Sequence, residues 1–121
     1  MIVEDGQLAL VRRVRAEAIY FLFPGGGVEA DETPRQAAVR EAREELGVDV
    51  ALGALLHEEV YAGERYLYFE ARIVGGEFGT GSFPAGEGVY EPVWLPLAKL
   101  RSVQIGRDVR PRALLDRLLA E

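Results

Sequence analysis

"PGGGVEADETPRQAAVREAREELGV", residues 24–48, sets three consecutive glycines ahead of a segment in which Glu41, Glu44 and Glu45 crowd beside Arg40 and Arg43. Its middle reads as a helix over residues 33–46. Thr33 is a good N-cap because its hydroxyl can accept from the first free N–H groups, Pro34 suits the first helical position, and Gly47 is a natural stop. At about 100° per residue, Glu41, Glu44 and Glu45 stand at i, i+3 and i+4 and share one face. Val39, Ala42 and Leu46 gather on another, which gives the helix a core side and an acid side. Like charges at this spacing destabilise an isolated helix by about 0.2–0.5 kcal/mol per pair, and Arg40, one turn before Glu44, offsets only part of that. Most charge runs are solvated faces. The alternative is a cation that makes the cluster favourable, since clustered carboxylate oxygens are the donors that hard ions such as Mg²⁺ or Mn²⁺ prefer.

Upstream, "MIVE" and "QLALVRRV" are β-like runs around Asp5-Gly6, a strong hairpin-turn signal. "IYFLF", closed by Pro24 and the glycines, is too short for an independent helix and reads as a strand. Downstream, "DVALGALLHEEVYAG" and "RYLYFEARIVGG" are two β-leaning segments joined near Ala62-Gly63-Glu64, followed by the loop-like "GGEFGTGSFPAGEGVYE". A loop of that length is commonly functional. "PVWLPL" resumes a strand, and "DVRPRALLDRLLAE" reads as a closing amphipathic helix with Leu114, Leu115, Leu118 and Leu119 on its inner stripe.

The whole chain sets outer bounds. Its 121 residues carry no low-complexity segment, linker or repeat, so one domain spanning 1–121 is expected. With 49% hydrophobic and 28% charged residues it has the balance of a folded globular protein. No apolar run approaches the ~20 residues of a bilayer span, so no membrane partner is expected. The start lacks a secretory pattern and there are no cysteines, which makes the cytoplasm the expected compartment. Met1 falls almost inside the first strand, as a trimmed start would leave it. A net charge of −6 argues against a general binder of nucleic-acid polymers, which are held mainly by surplus Lys and Arg. An anionic substrate would then need a cation to mediate.

Gly26, five residues, Glu32, seven more, and then Arg40-Glu41-Ala42-Arg43-Glu44-Glu45-Leu46-Gly47-Val48 resembles the signature of the Nudix hydrolase family, G-x5-E-x7-R-E-U-x-E-E-x-G-U, with U a bulky aliphatic. The one departure is Ala42, smaller than the usual aliphatic; it loosens helix packing without removing a ligand. The resemblance implies an α/β/α sandwich, a mixed sheet between helices. It further implies cleavage of a nucleoside diphosphate linked to another group, by attack of water on phosphorus, with Mg²⁺ or Mn²⁺ at the box. On that resemblance Glu44 and Glu45 are the principal metal ligands, and Glu41 is a further ligand or the general base. Gly25 would lend its backbone carbonyl to the metal from a turn that glycine makes possible. Arg40 and Glu32 look like residues that orient the carboxylates. Glu87, in the long loop, is the alternative base, because some family members draw that base from outside the box. Small members of the family are often homodimers.

The substrate is less sharply marked. The expected partner is a small-molecule nucleotide, of nucleoside triphosphate or nucleotide sugar type. Arg12 and Arg13 are candidate phosphate contacts, but strand alternation sends neighbours to opposite faces, and an exposed strand arginine is the commoner case. Tyr20, Phe21, Phe23, Tyr66, Tyr68, Phe69, Phe83 and Tyr90 could supply a wall for stacking a base, although most strand aromatics belong to the core. Trp94 reads as packing and His57 as structural. A Nudix-fold module that senses a nucleotide without turning it over is the alternative, against which the intact set of Glu41, Glu44 and Glu45 speaks.

Overall fold

A computed structural model describes residues 1–25, 27–61, 63–83, 88–105 and 116. Strands β1 (Val3–Glu4) and β2 (Gln7–Arg15) form the expected hairpin, pairing Glu4 with Gln7. Asp5 and Gly6 both take positive φ, 50° and 74°, the backbone that a two-residue turn between right-twisted strands requires. Strand β3 (Ala18–Leu22) returns along the far half of β2, from Val11↔Leu22 to Arg15↔Ala18. The whole length of β2 is covered by β6 (Val89–Pro96), from Gln7↔Pro96 to Val14↔Val89. Thus β2 is the centre of a four-stranded antiparallel sheet.

A long second hairpin, β4 (Val48–Tyr61) and β5 (Glu64–Gly76), makes a two-stranded antiparallel sheet. It is tied to the first by the N-terminus: Met1 N–H donates to Phe69 O, Ala71 N–H donates to Met1 O, and Ile2 forms a parallel bridge with Ala71. Among the described residues parallel contact is confined to that bridge and Phe21↔Ile105, while every named ladder is antiparallel. After β6 the chain tightens into a 3₁₀ segment, Leu97–Ser102, which begins at the last residue of the expected strand "PVWLPL". The closing helix of the sequence reading, with its leucine stripe, lies outside the described residues apart from Asp116, which is helical. Among the described residues no helix is long and apolar enough to cross a membrane.

Alternation along β2 builds two cores from one strand. Ala9 and Val11 join Ile2, Ala42, Leu46, Val48 and Val50 on one face, beneath the central helix. Leu8 and Leu10 join Leu95, Leu100 and Ile105 on the other. A strand buried on both faces must be apolar at successive positions, which is why "LALV" shows no alternation of its own.

The central helix departs from expectation at one point. Helix α1 runs Pro34–Glu41, capped as predicted: Thr33 Oγ1 accepts from Gln36 N–H at 3.1 Å, and Gln36 Oε1 accepts from Thr33 N–H at 2.9 Å. Residues Ala42–Leu46, expected to continue it, form a π turn. The Gly47 N–H reaches back to both Ala42 O and Arg43 O, which widens the last turn by one residue. Gly47 can close it because its φ is 80°, and because a β-carbon there would collide with Thr80 Oγ1 and come within 2.8 Å of Glu77 O. Ala42 is buried and lines a partly open cavity of about 60 Å³ with Ala38, Phe23 and Pro24.

Candidate active site

Arg40, in the last turn of α1, is the hub around which the acids are arranged. Its Nε donates to Glu32 Oε2 at 2.7 Å and its Nη2 to Glu32 Oε1 at 3.0 Å, a two-point grip. The same Nη2 donates to Gly27 O at 3.0 Å and lies 3.2 Å from Glu41 Oε1, while Nη1 donates to Glu44 Oε2 at 3.1 Å. The loop before the helix and two of the three box acids are therefore held by one guanidinium. Glu32 sits below the usual carboxylate range, chiefly through the Arg40 hydrogen bonds and then through the Glu29 backbone N–H, and Arg40 is raised in return.

Glu45 has a different surrounding. Its Oε1 accepts from Gly25 N–H at 2.8 Å, which ties the π turn to the glycine turn. Burial first, then the charge and hydrogen bonding of Glu41 and the charge of Glu44, push its carboxyl up to about 7, against the lowering effect of the Gly25 N–H. A carboxylate crowded by others is eased by a proton or by a cation. The side chains of Glu41 and Glu44 differ in access, 13% and 55% exposed, so Glu44 is the acid that can swing toward a ligand. As they stand, no three His, Cys, Asp or Glu side chains among the described residues converge closely enough to hold a metal ion, because Glu44 leans to Arg40 rather than to Glu45. The donor chemistry nevertheless suits a hard divalent cation: carboxylate oxygens alone, with Glu41 and Glu44 both helping to push the Glu45 carboxyl up.

The model of the NUDIX domain matches residues 1–118. The chain belongs to the Nudix family. Its central four strands, second hairpin and box helix are the Nudix α/β fold, and an ADP-ribose pyrophosphatase from Streptococcus suis 89-1591 superposes with a TM-score of 0.72 over 98% of this chain and 84% of that one, at 21% identity. Among curated relatives, a CTP pyrophosphohydrolase of Escherichia coli K12 is 38% identical over 84 residues, 66% of this chain and 62% of its own length. An 8-oxo-dGTP diphosphatase of Haemophilus influenzae is 49% identical over 57 residues, 46% of this chain and 41% of its own. The chain thus spans less than two thirds of the length of these relatives.

Within this Nudix domain the two candidate phosphate contacts part company. Arg12 falls on the Leu8 and Leu10 face of the central sheet, away from the box helix. Arg13 continues the Ala9 and Val11 face and is 6% exposed, against the expectation of an exposed strand arginine. Its guanidinium carbon lies 3.8 Å from the centre of the Tyr90 ring, and Tyr90 in turn stacks on Phe83 at 4.9 Å and 12°. Among the described residues Arg13 Nη1 is buried with no hydrogen-bond partner, a costly state for a charged donor. Sequence alternation separates the two arginines but cannot say which face is covered, since the cover comes from β6 and the loop before it.

Other candidates settle into place. Gly25 meets the acids through its N–H; Gly26 and Glu87 lie outside the described residues. Arg43 turns from the acid face, as expected, and its Nε donates to Asp49 Oδ1 at 2.7 Å. Trp94 packs against the core and stacks on Phe78 at 4.6 Å. The length of the loop after β5 pointed to function, but residue patterns did not reveal that its stretch 77–83 meets the π turn through its backbone.

Proposed function

We propose that this Nudix chain is a metal-dependent hydrolase that cleaves the pyrophosphate linkage of a small nucleoside diphosphate derivative by attack of water on phosphorus. The observation that carries the reading is the geometry of the box: one Arg40 guanidinium spans Glu32, Glu41 and Glu44, and Glu45 Oε1 accepts from Gly25 N–H at 2.8 Å, with its carboxyl pushed up to about 7 by burial and by Glu41 and Glu44. Charge repulsion held in place by a fold is expected where a cation is to be received. When bound, Mg²⁺ or Mn²⁺ would supply charge neutralisation for the phosphates and a more acidic water. Glu41, Glu44 and Glu45 would hold it, and Gly25, whose N–H already meets Glu45, would add its backbone oxygen. Glu41 would be a further ligand or the base that takes a proton from the attacking water, with Glu87 the loop alternative. Arg40 and Glu32 keep the carboxylates in register.

The named relatives act on triphosphates, and the buried Arg13 with its unsatisfied Nη1 is suited to an oxygen of the substrate. A nucleoside triphosphate is therefore the first substrate class to examine, a nucleotide sugar the second. The test is product analysis by chromatography after incubation with Mg²⁺ or Mn²⁺, across nucleoside triphosphates, nucleotide sugars and a 5′-triphosphorylated oligonucleotide. The expected products are a nucleoside monophosphate with pyrophosphate, or with the phosphorylated remainder. Orthophosphate from a simple phosphomonoester as the main product would contradict the reading. Preference for the oligonucleotide would overturn the small-molecule part alone.

A further inference from the structure

The last turn of a helix leaves its carbonyls without partners inside the helix. Here those carbonyls are taken up by one stretch of chain between β5 and β6. Glu77 N–H donates to Gly47 O at 3.1 Å, Gly79 N–H to Leu46 O at 2.9 Å, and Ser82 N–H to Glu44 O at 2.7 Å. Between the last two, Gly81 lies flat against the backbone of the acids themselves: a β-carbon there would collide with the Glu45 carbonyl and come within 2.6 Å of Glu44 O. Only a glycine permits that approach.

The stretch is held from its other side by two aromatic stacks on β6. Phe78 lies on Trp94 at 4.6 Å, and Phe83 on Tyr90 at 4.9 Å, near the two ends of residues 77–83. Within it, Thr80 Oγ1 donates to Glu77 O at 2.7 Å and closes the chain on itself. The middle of the stretch therefore faces the helix end with its backbone donors, while its flanks are pinned to the central sheet. A solvated connection would need neither the pinning nor the glycine at 81.

We propose that residues 77–83 are a clamp that positions the Glu44 and Glu45 carboxylates for metal through their own backbone, with Gly81 the positioning residue at its centre. The clamp explains why the π turn can persist, since the widened turn presents Glu44 O and Leu46 O to N–H groups that are already in place. It also joins the acids to Arg13, because Tyr90 carries Phe83 of the clamp on one side and the Arg13 guanidinium on the other. A displacement of the order of 1 Å at such a site is enough to cost about 10²-fold in function.

The inference rests on the metal-site reading above, and the experiment separates the two. Mn²⁺ alone is titrated against the protein and free Mn²⁺ is followed by its electron paramagnetic resonance signal, at a temperature where circular dichroism shows each variant folded. Gly81→Ala is expected to weaken Mn²⁺ binding by about 10-fold or more, and Phe83→Leu, which keeps bulk and loses the flat stack, by about 3-fold. Leu10→Ala, in the core on the far side of the sheet, is expected to lower the melting temperature and leave Mn²⁺ affinity unchanged. Should Gly81→Ala not fold, Phe83→Leu and Phe78→Leu carry the comparison. Wild-type affinity in the folded clamp variants, or an equal loss in Leu10→Ala, overturns the clamp while the metal site stands. Equal Mn²⁺ affinity in wild type and Glu44→Gln overturns the metal site and the clamp with it.

Discussion

Helix α1 and the π turn that continues it are adjacent in the chain and differ in what holds them. Over Pro34–Glu41 the helix closes its own start with the Thr33 and Gln36 side chains and buries Ala37. The next five residues carry Glu44 and Glu45, place Ala42 and Leu46 in the core, and depend on Gly47 and residues 77–83 for carbonyl partners. One segment is local in its causes and the other tertiary. The lesson is that the chemistry sits where the chain is least able to hold itself, and the fold supplies the rest.

The comparison breaks most sharply at the acids. Glu44→Gln and Glu45→Gln are each expected to lose turnover by about 10²-fold or more, the scale one catalytic group commonly contributes, while remaining folded. Steady-state rates on the best nucleotide from the substrate panel check this. Thr33→Ala, at the other end, removes only a cap, about 1 kcal/mol, and is expected to leave kcat and metal affinity unaltered.

Packing separates the two segments next. Leu46 is fully buried in the π turn, and Leu46→Ala is expected to cost about 2–5 kcal/mol in urea unfolding. Its metal affinity should fall as well, since the same residue anchors the acids. A loss of stability with full Mn²⁺ affinity would show that the turn's core side and acid side are uncoupled.

How far this division was legible follows from the same residues. Thr33, Pro34 and Gly47 marked the helix ends, and Asp5-Gly6 marked the hairpin, because capping and turn preferences act over a few neighbouring residues. The regular spacing of Glu41, Glu44 and Glu45 pointed to one acid face but not to the π turn. That turn comes from Gly47 N–H reaching Ala42 O with residues 77–83 docked beneath, and no local pattern encodes a partner thirty residues away. The burial of Arg13 escaped for the same reason: alternation assigned it a face, while Tyr90 and Phe83 decided that the face is covered. The aromatics given to core or base could be sorted only once Phe78 met Trp94 and Phe83 met Tyr90.

Titration gives a finer test. The Glu45 carboxyl, raised from 4.5 to about 7 in the fold, favours folding when protonated. Its contribution is full below pH 4.5 and is lost as pH rises through about 7. In chelator the melting temperature is therefore expected to fall between about pH 5 and 8 by more in wild type than in Glu45→Gln, which has no proton to lose. With a divalent cation present the trend should reverse, because the ligands must be deprotonated. Parallel pH profiles for the two proteins in chelator would remove Glu45 from the account. The smallest effect is expected at Ala42, where Ala42→Val partly fills the cavity of about 60 Å³ and should add about 0.5–2 kcal/mol to stability. No gain would mean that the cavity is kept open by its surroundings.

The central claim is that the acid face is arranged for a divalent cation and not for solvent. The direct measurement is the change in melting temperature between chelator and Mg²⁺ for wild type, Glu44→Gln, Glu45→Gln and Arg43→Ala. Without metal the glutamine variants should be as stable as wild type or more so, since each removes a repelling charge. With Mg²⁺ wild type should rise, because a ligand that binds only the folded state stabilises it by mass action, and both glutamine variants should lose most of that rise. Arg43→Ala, which breaks only an exposed pair with Asp49, should keep it. Glutamine variants that retain the full Mg²⁺ shift would contradict the account and leave Glu44 and Glu45 as a solvated surface.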